Sequence, residues 1–119
     1  MKSVSGLEEP KPWPPRQATE RIREKARDKS FTVLWTDHAK QQMGERELIM
    51  GDVLYALREG YVYSDAEVST RPGLFKYAME SKTPNSGNRV VRVVAIPSPQ
   101  GCEVKVVTVM WADEPAQKG

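Results

Sequence analysis

The sequence predicts an α+β domain in which N-terminal helices pack on one face of a four-stranded antiparallel β-meander. Two observations carry that expectation. Before Gly60 apolar residues recur at helical spacing behind capping residues, and after it they alternate in runs separated by turns rich in Gly, Pro, Asn and Ser. Those turns are too short for crossovers, so successive runs should pair antiparallel.

The elements follow in chain order. Pro10, Pro12, Pro14 and Pro15 surround Trp13, a spacing that favours polyproline II and opposes a helix. Thr19 to Lys29 is rich in helix formers, with Ile22 and Ala26 as its only interior apolar positions, so a helix with a thin core stripe is expected. Phe31, Val33 and Trp35 alternate with Thr32, Leu34 and Thr36 as in a short strand. Thr36 or Asp37 caps a helix reaching about Glu47 and carrying His38, Ala39, Met43 and Arg46. A third helix from Met50 to Arg58 gathers Val53, Leu54 and Leu57 on one face, with Gly60 placed as its left-handed stop. Strands are expected at Tyr61 to Ser64, Leu74 to Thr83, Arg89 to Pro97 and Cys102 to Trp111. Their core-facing residues should be Phe75, Tyr77, Val91, Val93, Val106 and Thr108. Ala112 to Gly119 has only two alanines as apolar residues and reads as a frayed tail. The chain therefore divides into a Pro-rich arm and charged helix over 1–30, a domain over 31–111 and a tail over 112–119.

Composition narrows the function classes. A chain of 119 residues holds one core, and 39% hydrophobic with 29% charged residues is the mixture of a globular domain. Apolar runs such as Val93–Ile96 fall far short of the roughly 18 residues of a membrane span. Met1 to Pro15 lacks the apolar stretch of a secretory signal, so a cytoplasmic protein that does not enter a membrane is expected. A single cysteine, Cys102, cannot close an intrachain disulfide, and one Cys with one His cannot supply a four-ligand zinc site. With no Gly-rich phosphate loop, nucleophile elbow or carboxylate cluster at ligand spacing, no metal and no cofactor is expected.

Charge is unevenly placed. Asp37 to Glu67 carries three basic and seven acidic residues, whereas Arg71 to Lys105 carries six basic and two acidic ones. A basic half suits a polyanion, although solvated charge on a sheet produces the same pattern. On the strand from Leu74, Lys76, Ala78, Glu80 and Lys82 share the face opposite Phe75, Tyr77 and Met79. If the turn pairs Lys82 with Val90, Glu80 faces Arg92, joining a proton acceptor to cations that can clamp a phosphate; a one-residue slip moves Arg92 to the other face. His38 is the only histidine, suited to general base work or to a place at a helix start. Cys102 lacks a basic neighbour in sequence and reads as packing.

The motif His38-Ala39 with Met43 and Arg46, the helix end Leu57-Arg58-Glu59-Gly60, the strand Phe75-Lys76-Tyr77, and the runs Arg89 to Val94 and Val106 to Val109 resemble, in that order, a small prokaryotic family known as domain of unknown function 4258. That family looks related to the RelE-like and BrnT-like toxin superfamily, which sets N-terminal helices against an antiparallel sheet and whose active members cut RNA without a metal. The resemblance implies a metal-independent RNA-cleaving toxin-like domain. His38 or Glu80 would be the base, Arg46, Lys82 and Arg92 would steady the phosphorane, and Lys76, Lys82, Arg89 and Lys105 would hold RNA. Gln42 departs from the pattern, which usually has a basic residue before Met43, and the arm and first helix are seldom present in the family. These departures support an alternative: a noncatalytic protein- or RNA-binding accessory module of the same fold. Its partner, antitoxin-like, would dock on a sheet edge or on the N-terminal arm, where Trp13 either packs into a groove on its own domain or presents its side chain to the partner.

Overall fold

The computed structural model describes residues 11–114 as three helices packed on one face of a six-stranded mixed sheet. Helix α1 spans Pro15–Arg27, strand β1 Thr32–Trp35, α2 Asp37–Arg46 and α3 Met50–Glu59. Strands β2 (Tyr61–Val62), β3 (Glu67–Val68), β4 (Phe75–Lys82), β5 (Val90–Pro97) and β6 (Glu103–Trp111) follow. The sheet order is β1-β6-β5-β4-β2, and β3 continues the outer edge of β4. Among the described residues no helix is long and apolar enough to cross a membrane.

Each helix starts where a local rule permits it. Pro15 opens α1 four residues before the expected start, because proline at the first helical position lacks only an N–H that would be unpaired anyway. Thr36 caps α2: its Oγ1 accepts the Ala39 N–H at 3.1 Å and donates to the Val106 carbonyl at 3.1 Å, which ties the helix start to β6. Asp52 lies in the first turn of α3, where its Oδ2 accepts the Ile49 N–H at 2.9 Å. The same buried carboxylate accepts from the Thr83 hydroxyl at 2.6 Å and from Asn85 Nδ2 at 3.0 Å, so one side chain fixes both α3 and the turn between β4 and β5.

The core lies between the helices and the sheet. Ala18, Ile22, Ala26, Val53, Ala56, Leu57, Met79, Val91, Val93, Val106 and Val109 have no more than 1% of their surface exposed. Helix α1 therefore contributes to the core far more than a thin stripe: four of its residues are buried, and the Thr19 Oγ1 accepts the buried Val62 N–H at 2.8 Å.

Four expectations need correction. The sheet is neither four-stranded nor wholly antiparallel. The meander of β4, β5 and β6 leaves the outer edge of β6 open, and β1 fills it in parallel, Thr32 opposite Glu103 and Trp35 opposite Val106. Helices α2 and α3 carry the chain from that edge to the opposite one, which sets the direction of β1. Thr108 is off the core face because β6 bulges at Val107: Val94 pairs Thr108 while Ala95 pairs Val106, and one extra residue reverses the alternation. Gly60 is not left-handed; its φ of −80° is ordinary, and glycine is required instead by the close approach of Ala56 and Glu80. The chain after Trp111 is not frayed as far as Glu114, since the Ala112 N–H donates to the Val90 carbonyl at 2.8 Å. Residues 115–119 lie outside the described residues, as do 1–10 of the proline-rich arm.

Candidate functional site

Among the described residues no helix or strand covers the sheet face opposite the helices. Alternation along β4 and β5 turns Tyr77, Met79, Val91 and Val93 into the core and Lys76, Ala78, Glu80, Arg92 and Val94 outward. The register pairs Lys82 with Val90 and Glu80 with Arg92, the first of the two alternatives left open by the sequence. Arg92 Nε donates to Glu80 Oε2 at 2.7 Å, with 33% and 20% of the two side chains exposed. This pair lines a depression of about 430 Å3 bounded by Tyr63, Asp65, Lys76, Val94 and Met110. A second hollow of about 260 Å3 lies farther along the face among Leu34, Arg71, Leu74, Ile96 and Lys105.

Glu80, Arg92 and Lys76 thus come together. His38 and Arg46 do not join them, because both belong to α2, whose Ala39, Gln42 and Met43 are buried on the opposite side of the sheet. His38 is exposed in the first turn of α2. Arg46 forms a two-pronged bond to Glu114, Nε to Oε1 at 2.6 Å and Nη2 to Oε2 at 2.8 Å, with 13% and 17% exposure. The bond holds the Glu114 carboxyl below, and the Arg46 guanidinium above, its ordinary range. Lys82 and Lys105 are exposed on β4 and β6, and Arg89 is paired with Asp113 at 2.8 Å.

Trp13 packs on its own domain. Its indole stacks on Tyr77 with centroids 5.5 Å apart, and its backbone N–H donates to the Tyr77 hydroxyl at 2.8 Å. Burial, partly offset by that bond, pushes the Tyr77 phenol up. Arg21 and Lys25 lie 5.8 and 5.9 Å from the indole centre. Gln42, where the expected cation is missing, is only 4% exposed, and its Oε1 accepts the Val109 N–H just beyond the bulge at 2.9 Å. That position supports β6 and does not face a ligand. Cys102 stands near Lys25 and Asp28, on a different side of the molecule from the depression. Among the described residues no three His, Cys, Asp or Glu side chains converge as metal ligands.

Sequence reasoning missed Tyr63, which is 70% exposed at the rim, and the acidic pair Asp113 and Glu114. The tyrosine sits in a run too short to show a period, and the acidic pair meets its arginines only through tertiary contact.

No curated protein and no solved structure gives a significant match to the chain. A family model described as domain of unknown function (DUF4258) matches residues 35–111, from the last residue of β1 to the last of β6. The match takes in α2, α3 and the whole meander, and the chain belongs to this family.

Proposed function

We propose that the chain is a noncatalytic binding module whose uncovered sheet face takes a protein partner in the cytoplasm. One observation carries the reading: the face interleaves the apolar Ala78, Val94, Ile96 and Met110 with the charged Lys76, Glu80, Arg92 and Lys105, a mixed surface of the kind that protein interfaces use. Val68, 76% exposed on β3, and Tyr63 extend it to the sheet edge. The separation of His38 and Arg46 from Arg92 also supports a noncatalytic role, since scattered groups cannot act on one phosphate. The test is capture and identification of a partner, followed by reassembly from purified proteins. Val94→Glu and Ile96→Glu should abolish the reassembled complex while leaving the melting temperature close to that of the wild type. A partner that binds both variants as well as wild type refutes the reading.

A second reading is favoured by the Glu80–Arg92 contact with Lys76 beside it, three groups that suffice for base, phosphate clamp and acid in metal-independent RNA cleavage. It is the reading that a RelE-like or BrnT-like toxin relationship implies. It requires single-stranded RNA to be cut in EDTA, with Arg92→Ala slowing turnover on the order of 10²-fold. RNA left whole over hours at micromolar protein, or cut equally by Arg92→Ala, rules it out.

A further inference from the structure

Beyond the uncovered face, two arginines meet the chain's own carboxylates where β6 ends. Arg46, at the last turn of α2, donates the two-pronged bond to Glu114, and Arg89, at the entrance to β5, donates one bond to Asp113. Trp111 touches a member of each pair: its backbone N–H donates to Glu114 Oε1 at 2.8 Å, and the Arg89 guanidinium covers its indole at 4.0 Å. Arg46, Arg89 and Trp111 border an open hollow of about 540 Å3 whose other walls are Glu45, Glu47, Asn85, Ser86 and Gly87. Both acids lie two and three residues past 111, where the family match stops.

We propose that Arg46, Arg89 and Trp111 form a site for single-stranded nucleic acid, and that Asp113 and Glu114 occupy it as a releasable acidic strap. The guanidinium fork that receives a carboxylate receives a phosphate with the same geometry. An indole already stacked by a planar cation offers the surface on which a base stacks. Two consecutive carboxylates on two arginines therefore stand in for the anionic groups of a strand laid across the hollow. The strap is unevenly held. Glu114 is largely buried and makes three bonds, whereas the Asp113 side chain is 65% exposed and makes one to Arg89, itself 47% exposed. Release begins at Asp113. Each arginine keeps its partner below the ordinary carboxyl range, so both acids are charged competitors at neutral pH.

The experiment uses the full chain and a short fluorescein-labelled oligouridylate, read by anisotropy at low salt. Asp113→Asn should bind on the order of tenfold more tightly than wild type, because a competitor built into the free protein has been neutralised. The gain should disappear in Asp113→Asn/Arg89→Ala and shrink as salt rises. Glu67→Gln removes one exposed negative charge on β3, at the far edge of the sheet, and should give a much smaller gain. Asp113 is exposed, so its variant should melt as wild type does, and the test does not depend on whether Glu114→Gln folds. Equal affinity of Asp113→Asn and wild type overturns the proposal. So does a gain that survives Arg89→Ala or is matched by Glu67→Gln.

Discussion

Gly60 and Gly44 should respond in opposite directions to the same change. At Gly60 a methyl group would sit 2.5 Å from the Ala56 carbonyl oxygen, 2.8 Å from the Glu80 carbonyl oxygen and 3.2 Å from the Glu80 carbonyl carbon. All three atoms are backbone, so no side-chain rotation relieves the contact; either the last turn of α3 or β4 must move. Overpacking of this kind costs about 1–3 kcal/mol, and two contacts inside 3.0 Å place Gly60→Ala at the upper end. Lowering the entropy of the unfolded chain returns about 0.4–1 kcal/mol, leaving a net loss of about 2 kcal/mol. Gly44 lies inside α2 with nothing within 4 Å of the added atom, so Gly44→Ala should stabilise by about 0.5–1 kcal/mol. Circular dichroism melts should separate the two variants by roughly 10 °C, since a kcal/mol moves a domain of this size by several degrees. Because the Gly60 contact bears on the backbone of Glu80, that variant should also disturb the Glu80–Arg92 pair. If Gly60→Ala melts at or above wild type, the close approach is not what requires glycine there, and the account of the α3–β4 junction fails.

Three further outcomes follow from single contacts. Burial pushes the Asp52 carboxyl up, but its bonds from Ile49, Thr83 and Asn85 outweigh that and hold it below the ordinary range. Its contribution is therefore complete above about pH 4 and lost as the pH falls through the lowered folded value, and Asp52→Asn should cost about 1.5–3 kcal/mol at pH 7 in urea titrations, with the gap to wild type closing in acid. Gln42→Leu keeps the volume but leaves the buried Val109 N–H unpaired, so it should cost about 1–3 kcal/mol and raise amide exchange at Val109. Trp13→Ala removes the stack on Tyr77 and should cost about 2 kcal/mol, less than a fully buried tryptophan because Trp13 is half-buried; a melt equal to wild type would show that the segment before α1 is not held.

What was legible in the sequence was local. Caps, helical spacing and turn residues placed α2, α3, β4, β5 and β6 within a residue or two, and the length of the turn after Thr83 allowed the register that sets Glu80 against Arg92. Elements whose partners lie far along the chain could not be read that way. The parallel pairing of β1 depends on an edge that exists only once β6 has folded, 70 residues later. The bulge at Val107 is invisible in a run of alternating valines, yet it decides that Thr108 faces outward and creates the N–H that Gln42 serves. The beginning of α1 on Pro15 shows that a proline-rich stretch marks a possible helix start as readily as an extended arm.

The same distinction governs the candidate site. Counting by segment gave Arg71 to Lys105 a strong positive excess, but a cation's availability depends on partners that segment counts do not see. Arg92 is matched by Glu80 within the segment, whereas Arg89 is matched by Asp113 outside it, and Arg46 by Glu114 across 68 residues. Lys76, Lys82 and Lys105 have no ion-pair partner among the described residues, and they are spread over two strands of the uncovered face. Three separated lysines beside Asp65, Glu67 and Glu103 produce a weak field, which is why the face suits a mixed protein surface better than a polyanion. The arginines suited to phosphate in pairs, Arg46 and Arg89, are at the end of β6, already holding carboxylates. A nucleic-acid function in this chain therefore depends less on how many basic residues it has than on whether Asp113 lets go.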